Sequence, residues 1–302
     1  MNISEFLEQT TQNFRKKNIP SPRLDAELIL MRSGNFSREF LLAHDDFLLP
    51  KNVLRQAKKF VKMRSRREPI AYIFNEKEFY GRKFFVNKNV LIPRPETEEI
   101  IELSRKIITK KIKKEELDLL EIGVGSGTIF ITLFLEFPQK FSRILAIDLR
   151  WKILTIAKNN LARLMPEHRE KQAFEKDHKT KFGFIKSDLL AKIREEKFDL
   201  IVANLPYVSH DWDVEIFAKS PELAAEPALA LFAEDGGNAL NKKLIQQITE
   251  KNSLNKDGFL ILELDPEQKQ LVAEFAKNYG FKEEIINPKQ DSPYHLVLKK
   301  FA

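Results

Sequence analysis

The chain has 302 residues, 43% of them hydrophobic, which is enough for two domains burying roughly three quarters of their unfolded surface. It has no cysteine, which excludes disulfides, thiolate catalysis and thiolate-rich metal sites. A formal charge of +7 and a pI near 9.2 favour polyanionic surroundings without specifying a contact.

Met1-Asn2-Ile3-Ser4-Glu5 is no basic-then-apolar leader, and no stretch approaches about 20 consecutive apolar residues. A cytoplasmic protein without a membrane partner is therefore expected. Ile3, Phe6, Leu7 and Phe14 recur at helical spacing ahead of Arg15-Lys16-Lys17. Ser21 followed by Pro22 predicts a capped helix start, with the helix ending near Gly34. Ser37 opens a short helix. Pro50 opens a longer one with Val53, Ala57 and Phe60 as its apolar positions, stopping before Pro69. Residues 1–68 thus read as a small helical bundle, a unit that either adapts a fold to a macromolecule or pads it.

Residues 71–74, 78–81 and 84–86 read as short strands broken by Asn75 and Gly81, so a β-hairpin linker is expected over 69–93. In Leu91-Ile92-Pro93-Arg94-Pro95-Glu96-Thr97-Glu98 two prolines bar a regular helix before Pro95, and Thr97-Glu98-Glu99 suits a helix start. After a charged stretch the period becomes strand, helix, strand. Strands are expected over 119–122, 144–148, 182–186, 198–203, 258–264, 281–286 and 294–299. Helices are expected over 128–135, 151–164, 240–254 and 266–279, and an exposed charged insertion over 166–180. Continuous apolar strands alternating with helices predict an α/β fold over 94–302, a mainly parallel sheet covered on both faces.

Gly123, Gly125 and Gly127 are spaced G-x-G-x-G at a strand-to-helix junction, where glycine lets the backbone turn tightly and approach a ligand. Dinucleotide folds use a similar loop. Glu121 suits a cationic ligand with an amino group better than a pyrophosphate. Asp148, ending the second strand, can accept both hydroxyls of a ribose. S-adenosylmethionine fits both carboxylates, whereas NAD fits only Asp148. Val124 and Ser126 complete the loop. Asp188 and Leu189 follow the third strand, where an adenine edge is expected: Asp188 accepts from the exocyclic amine or caps a helix, and Leu189 packs on the ring.

Asn204-Leu205-Pro206-Tyr207 ends the fourth strand, beside the expected methyl donor. The Asn204 amide oxygen can accept one N–H of a flat –NH2 group, a carbonyl at Leu205 or Pro206 the other, and the Tyr207 ring can cover the plane. Two fixed acceptors would aim the lone pair of a conjugated nitrogen and stabilise the charge growing on it, with no general base in the plane. Adenine, cytosine and a carboxamide all satisfy this description. Arg94, held between prolines, either faces this mouth or ties the linker to the sheet. His210 reads as a solvated loop residue, and the five histidines show no metal spacing.

These motifs together resemble the release factor glutamine methyltransferase family of HemK/PrmC type. Leu91 to Glu98, Glu121 to Gly127 and Asn204 to Tyr207 carry the resemblance. Ser21-Pro22-Arg23-Leu24-Asp25-Ala26-Glu27, Glu78-Phe79-Tyr80-Gly81 and Glu226-Pro227-Ala228-Leu229-Ala230-Leu231 extend it over nearly the whole chain. It implies a Rossmann-like S-adenosylmethionine-dependent methyltransferase sheet with an N-terminal helical bundle and a β-hairpin linker. The implied activity is methylation of the side-chain nitrogen of the glutamine in the Gly-Gly-Gln motif of class I peptide chain release factors, leaving S-adenosylhomocysteine. Gly123 to Gly127 and Asp148 would bind the cofactor, with Leu189 by its adenine. Asn204 to Tyr207 would grip the glutamine amide, and the bundle would help dock the release factor, in proximity to the ribosome and without sequence-specific nucleic acid. Leu205 replaces the usual proline, for which a slightly looser loop is expected. Asp265 replaces a common glycine, and Asp291-Ser292-Pro293-Tyr294-His295 replaces a basic ending. The rival readings are amino methylation of DNA or RNA and an inactive module that binds a translation factor.

Overall fold

The computed structural model describes residues 1–171, 180–286 and 292–301, with the side chains of 166–171 and 213–215 set aside. The chain divides into two compact units, one formed by residues 1–76 and 219–225, the other by 77–218 and 226–302.

The first unit is helical. Helix α1 (Ile3–Lys16) starts at a capping box: Glu5 N donates to Asn2 Oδ1 at 2.8 Å, and Asn2 N donates to Glu5 Oε2 at 3.0 Å. Helix α2 (Pro22–Gly34) starts on its proline alone, because Ser21 makes no side-chain cap, contrary to expectation. Ser37 does cap α3 (Arg38–Ala43), accepting from Phe40 N. Helix α4 (Lys51–Arg64) turns Val53 and Ala57 into a core with Ile3, Phe6, Phe14, Ile29 and Leu30. Residues 71–74, expected as a strand, lie in a short helix, α5 (Ile70–Phe74). A four-residue apolar run carries no period, and Pro69 before it with a left-handed Asn75 after it bounds one helical turn.

In the second unit β1 (Glu76–Phe79) and β2 (Arg82–Phe85) make the expected hairpin. Tyr80 and Gly81 between them both have positive φ, 49° and 69°, the turn that matches the twist of paired strands. Helix α6 (Glu98–Lys110) follows the two prolines. The core then runs β3 (Leu117–Ile122), α7 (Thr128–Glu136), β4 (Phe141–Asp148), α8 (Trp151–Lys171), β5 (Lys181–Lys186) and β6 (Phe198–Asn204). After β7 (Val208–Ser209), α9 (Asp213–Lys219) and β8 (Phe232–Ala233) come α10 (Ala239–Glu250), β9 (Leu254–Glu263), α11 (Lys269–Lys277), β10 (Phe281–Glu283) and β11 (His295–Lys300). Of the insertion expected over 166–180, residues 166–171 extend α8 and 172–179 lie outside the described residues, as does Asp291.

Seven strands form one sheet in the order β10-β11-β9-β6-β3-β4-β5, parallel except for β11, which pairs antiparallel with both neighbours. Alternate residues serve opposite faces. Leu119, Leu200, Val202 and Ile261 pack with α6, α7 and α8, while Leu120, Ile201, Ala203 and Leu262 pack with α10 and α11. The Rossmann-like α/β fold expected from the sequence is the fold observed.

In the first unit Arg64, 6% exposed, is the polar centre: its Nε donates to Asp25 Oδ2 at 2.7 Å and its Nη1 to Glu222 Oε1 at 3.1 Å. Burial pushes the Asp25 carboxyl up by more than the Arg64 hydrogen bond and charge pull it down. The cluster therefore holds only while all its members are present. Arg64→Ala is expected to destabilise this unit by about 3–5 kcal/mol, read as lost hydrogen-exchange protection across α2 and α4. Unchanged protection would refute it.

Candidate active site

Strand β3 is where the winding of the sheet reverses: β4 and β5 lie to one side, β6 and β9 to the other. Ligands in such sheets gather at the carboxyl ends of the strands beside the reversal. There the ends of β3, β4 and β6 open on a cavity of about 540 Å³.

The glycine loop follows β3. Gly123, Gly125 and Gly127 have φ of 74°, 52° and 82°, a region L side chains rarely enter. Gly123 N and Val124 N donate to Ile147 O at 2.9 and 3.2 Å, hanging the loop on β4. A Cβ on Gly125 would meet open space, leaving the backbone bare to a ligand. Gly127 differs from its expected role. It does not line the cavity, and a Cβ there would stand 2.9 Å from the Phe130 and Ile131 side chains, so it serves the packing of α7. Asn160, fully buried on α8, clamps the loop to the hairpin: its Nδ2 donates to Ser126 O and Phe85 O, and its Oδ1 accepts from Phe85 N.

Two buried carboxylates line the cavity. Glu121 Oε2 accepts from Phe130 N at 2.7 Å, in the first turn of α7. Burial in the first place, and Asp148 nearby, push the Glu121 carboxyl well above the usual range. Asp148 is also pushed up by burial, which outweighs the backbone N–H groups of Gly125 (3.3 Å), Arg150 (3.4 Å) and Leu149 that pull it down. Among the described residues neither acid has an ion pair. Acceptors this buried fit a ligand that brings positive charge, an amine and hydroxyls, as S-adenosylmethionine would, and would repel a pyrophosphate.

Leu189, φ 45° and 6% exposed, lines the cavity beyond β5. Asp188 lines it too, but its carboxylate is exposed and pairs with Lys243 Nζ at 2.7 Å, neither capping a helix nor standing free. Lys243 thus enters the site unannounced by any motif.

On the other side stand Asn204, Leu205 and Pro206. Asn204 Nδ2 donates to the buried Thr97 Oγ1 at 3.1 Å, which fixes the amide plane and leaves Oδ1 without a partner among the described residues. Thr97, read from sequence only as a helix start, makes no cap to α6. Leu205 is 4% exposed and packs against Gly123, so the loop expected to loosen there is held by its side chain. Tyr207 departs from expectation. It does not line the cavity, and its hydroxyl reaches away to Glu263 Oε1 at 3.5 Å. Burial first, then the Glu263 charge, push its phenol far up, so it stays protonated. Gln268 Nε2 holds the Tyr207 carbonyl at 2.7 Å, and Gly237 leaves room for it, since a Cβ there would fall onto that oxygen.

Arg94 faces the mouth, one of the two alternatives, and its ion pair goes to a loop, not to the sheet. It lines the cavity, and its Nη2 meets Glu226 Oε1 at 2.6 Å. Glu226, nearly buried, also accepts from Ile92 N at 2.9 Å, tying the proline segment to the chain beyond the tetrapeptide. His210 is exposed, as expected of a loop residue, yet borders the cavity and stacks on Phe232 with centroids 5.1 Å apart.

A family model described as PrmC N-terminal domain matches residues 5–74. The chain is 32% identical to a bifunctional methyltransferase of Rickettsia bellii over 97% of its own length and 53% of the relative's, so it spans about half of that protein. It is 33% identical to the release factor glutamine methyltransferase of Koribacter versatilis, covering 87% of this chain and 86% of that one. Against the enzyme of the same name from Leptospira interrogans the identity is 34%, over 89% and 88%. Among solved structures, a ribosomal protein L11 methylase from Lactobacillus delbrueckii matches 67% of this chain and 79% of its own at TM-score 0.44 and 20% identity. On the last two curated relatives, each matched over more than four fifths of both chains, the chain belongs to the release factor glutamine methyltransferase family.

Proposed function

We propose that this protein transfers a methyl group from S-adenosylmethionine to the side-chain amide nitrogen of a glutamine, the one in the Gly-Gly-Gln motif of a class I peptide chain release factor. The observation that carries this reading is Asn204, whose amide is locked by Thr97 with its oxygen unpaired at a cavity that also holds Glu121 and Asp148. The names of the relatives point to the same substrate.

When bound, S-adenosylmethionine supplies a methyl carbon made electrophilic by a sulfonium. Asp148 would accept from its ribose hydroxyls and Glu121 from its ammonium, with the bare backbone at Gly125 admitting it closely. Leu189 would lie by the adenine. At Asn204 one N–H of the glutamine amide would be taken by Oδ1 and the other by a carbonyl at Leu205 or Pro206. Conjugation makes that nitrogen a poor nucleophile, so the work of these residues is alignment, together with stabilising the positive charge that grows on nitrogen. As the new C–N bond forms the methyl–sulfur bond would break, leaving the neutral thioether S-adenosylhomocysteine, and the methylated nitrogen, then cationic and strongly acidic, would lose its proton to solvent water. Tyr207 is unsuited to take it, because its phenol is held protonated behind the loop. The helical unit is proposed to dock the release factor, and the protein to work in the cytoplasm.

Labelled methyl transfer, offered to a release factor, RNA and DNA in parallel, tests the reading. Label in the release factor glutamine is expected, label only in nucleic acid overturns the substrate, and label in none overturns the enzyme. Asn204→Ala is expected to lower kcat by about 10²–10³ with the cofactor Kd unchanged. Asp148→Ala is expected to weaken cofactor binding instead, and an unchanged Kd would refute its role.

Cofactor binding should also depend on pH. In the free protein the raised Glu121 carboxyl holds a proton above the usual carboxylate range, and a bound cation favours the ionised form. Binding therefore releases a proton, and affinity rises as pH climbs through the Glu121 titration, then levels. Calorimetry in two buffers of different ionisation enthalpy should detect this release, and Glu121→Gln should abolish it. A proton count of zero in the wild type would refute the assignment.

A further inference from the structure

Behind the Asn204 loop lies a buried polar cluster that the proposed chemistry leaves unused. The ends of β6, β9 and β11 are level: Asn204 pairs in register with Glu263, and Glu263 with His295. The Glu263 side chain is 1% exposed and that of His295 0%. An acid and an imidazole are seldom sealed in this way without full hydrogen bonding.

The donors can be counted. Ser292 has one hydroxyl proton and donates it to Glu99 Oε2 at 2.7 Å. Its 2.7 Å contact with His295 Nδ1 therefore needs a proton on Nδ1. The Tyr207 hydroxyl proton goes to Glu263 Oε1. What remains is His295 Nε2 and Glu263 Oε2, 3.5 Å apart, both sealed from solvent and neither with a hydrogen-bond partner. In a neutral imidazole protonated at Nδ1, the Nε2 lone pair would face a carboxylate lone pair 3.5 Å away, which is repulsive and leaves two buried acceptors unmet. A proton on Nε2 removes both penalties. Two carboxylates flank the ring to receive the charge, Glu263 at Nε2 and Glu99 at 3.5 Å from Nδ1.

We propose that His295 carries a proton on both ring nitrogens, sharing the one on Nε2 with Glu263, and that this pair is a positioning device for the methyl-acceptor loop. Through Glu263 it holds the Tyr207 hydroxyl. Through Ser292 and Glu99 it holds the first turn of α6, next to Thr97, which orients Asn204. The hydrogen-bonded path thus runs from one end of the tetrapeptide, behind the sheet ends, to the other. The charged groups around it are few. Glu99 faces the ring from α6, Arg94, Glu96 and Asp265 act on Tyr207, and Lys269 donates to the Ser292 carbonyl while pairing with Glu283. The positioning role rests on the proposed methyl transfer at Asn204, whereas the protonation state does not.

Two measurements on the full chain test the two parts separately. Histidine-selective nitrogen NMR at neutral pH, with no substrate present, is expected to show both His295 nitrogens protonated. An Nε2 signal in the range of a free lone pair would overturn the ion pair. Glu263→Gln preserves shape, and its amide can accept from Tyr207 and donate to Nε2, so no extra proton is needed. In that variant the Nε2 signal is expected to move into the acceptor range. Glu263→Ala, which breaks the pair, is expected to lower kcat about tenfold with KM for the release factor little changed, and Glu263→Gln, which keeps the shape and the hydrogen bonds, to retain the wild-type kcat. An unchanged kcat in Glu263→Ala, or an equal loss in Glu263→Gln, would overturn the positioning role. Absence of methyl transfer by the wild type would overturn the functional reading instead, leaving the NMR result standing.

Discussion

A single side-chain contact, the Asn204 amide on the Thr97 hydroxyl, sets the orientation on which the site depends. A carboxamide has two chemically opposite ends, and a free rotor would present either to the cavity. Once Thr97 accepts one proton of the –NH2 end, that end is anchored on the Thr97 side and the whole oxygen is left unpaired among the described residues, so the position favours an N–H donor over an acceptor. The hydroxyl is buried and sits where the proline-rich segment enters α6, so its place is fixed by backbone, without relying on a flexible side chain. The proline segment, whose stiffness looked like a linker property, is thereby part of the site.

The same segment is held a second time by Glu226, which takes both Ile92 N and the Arg94 guanidinium. Asn160 does the equivalent on the cofactor side, joining the hairpin to Ser126. Each of these buried polar groups bonds backbone atoms from a remote part of the chain, and Glu226 a guanidinium as well. Loops that would otherwise be mobile are thus fastened to helices and strands at the points where they approach the cavity.

Much of this was legible in the sequence, for physical reasons that differ by residue. The alternation of continuous apolar strands with helices has only a few topological solutions, so the order of elements led directly to the parallel core. The glycines at 123 and 125, the carboxylates at 121 and 148 and the amide at 204 lie at strand ends, where position in the pattern already fixes position in space. What could not be read was partnership. Thr97 and Asn204 are separated by 107 residues, Ile92 and Glu226 by 134, Phe85 and Asn160 by 75, and nothing local marks either member as the mate of the other. Tyr207 misled because a ring next to an amide suggests a stacking platform, whereas the local backbone, pinned by Gln268 against Gly237, turns it inward. Residues 71–74 misled because a single turn has no period to detect.

Glu121 has a consequence of a different kind. One carboxyl group both lines the cavity and accepts the Phe130 amide proton near the start of α7, a helix whose residues 128–135 are all buried. Whatever changes the charge on that carboxyl must alter the polarisation of that one N–H bond. The chain therefore carries an internal reporter: the Phe130 amide, screened from bulk water and touching no ligand itself, registers occupancy of the neighbouring chamber through the oxygen it leans on.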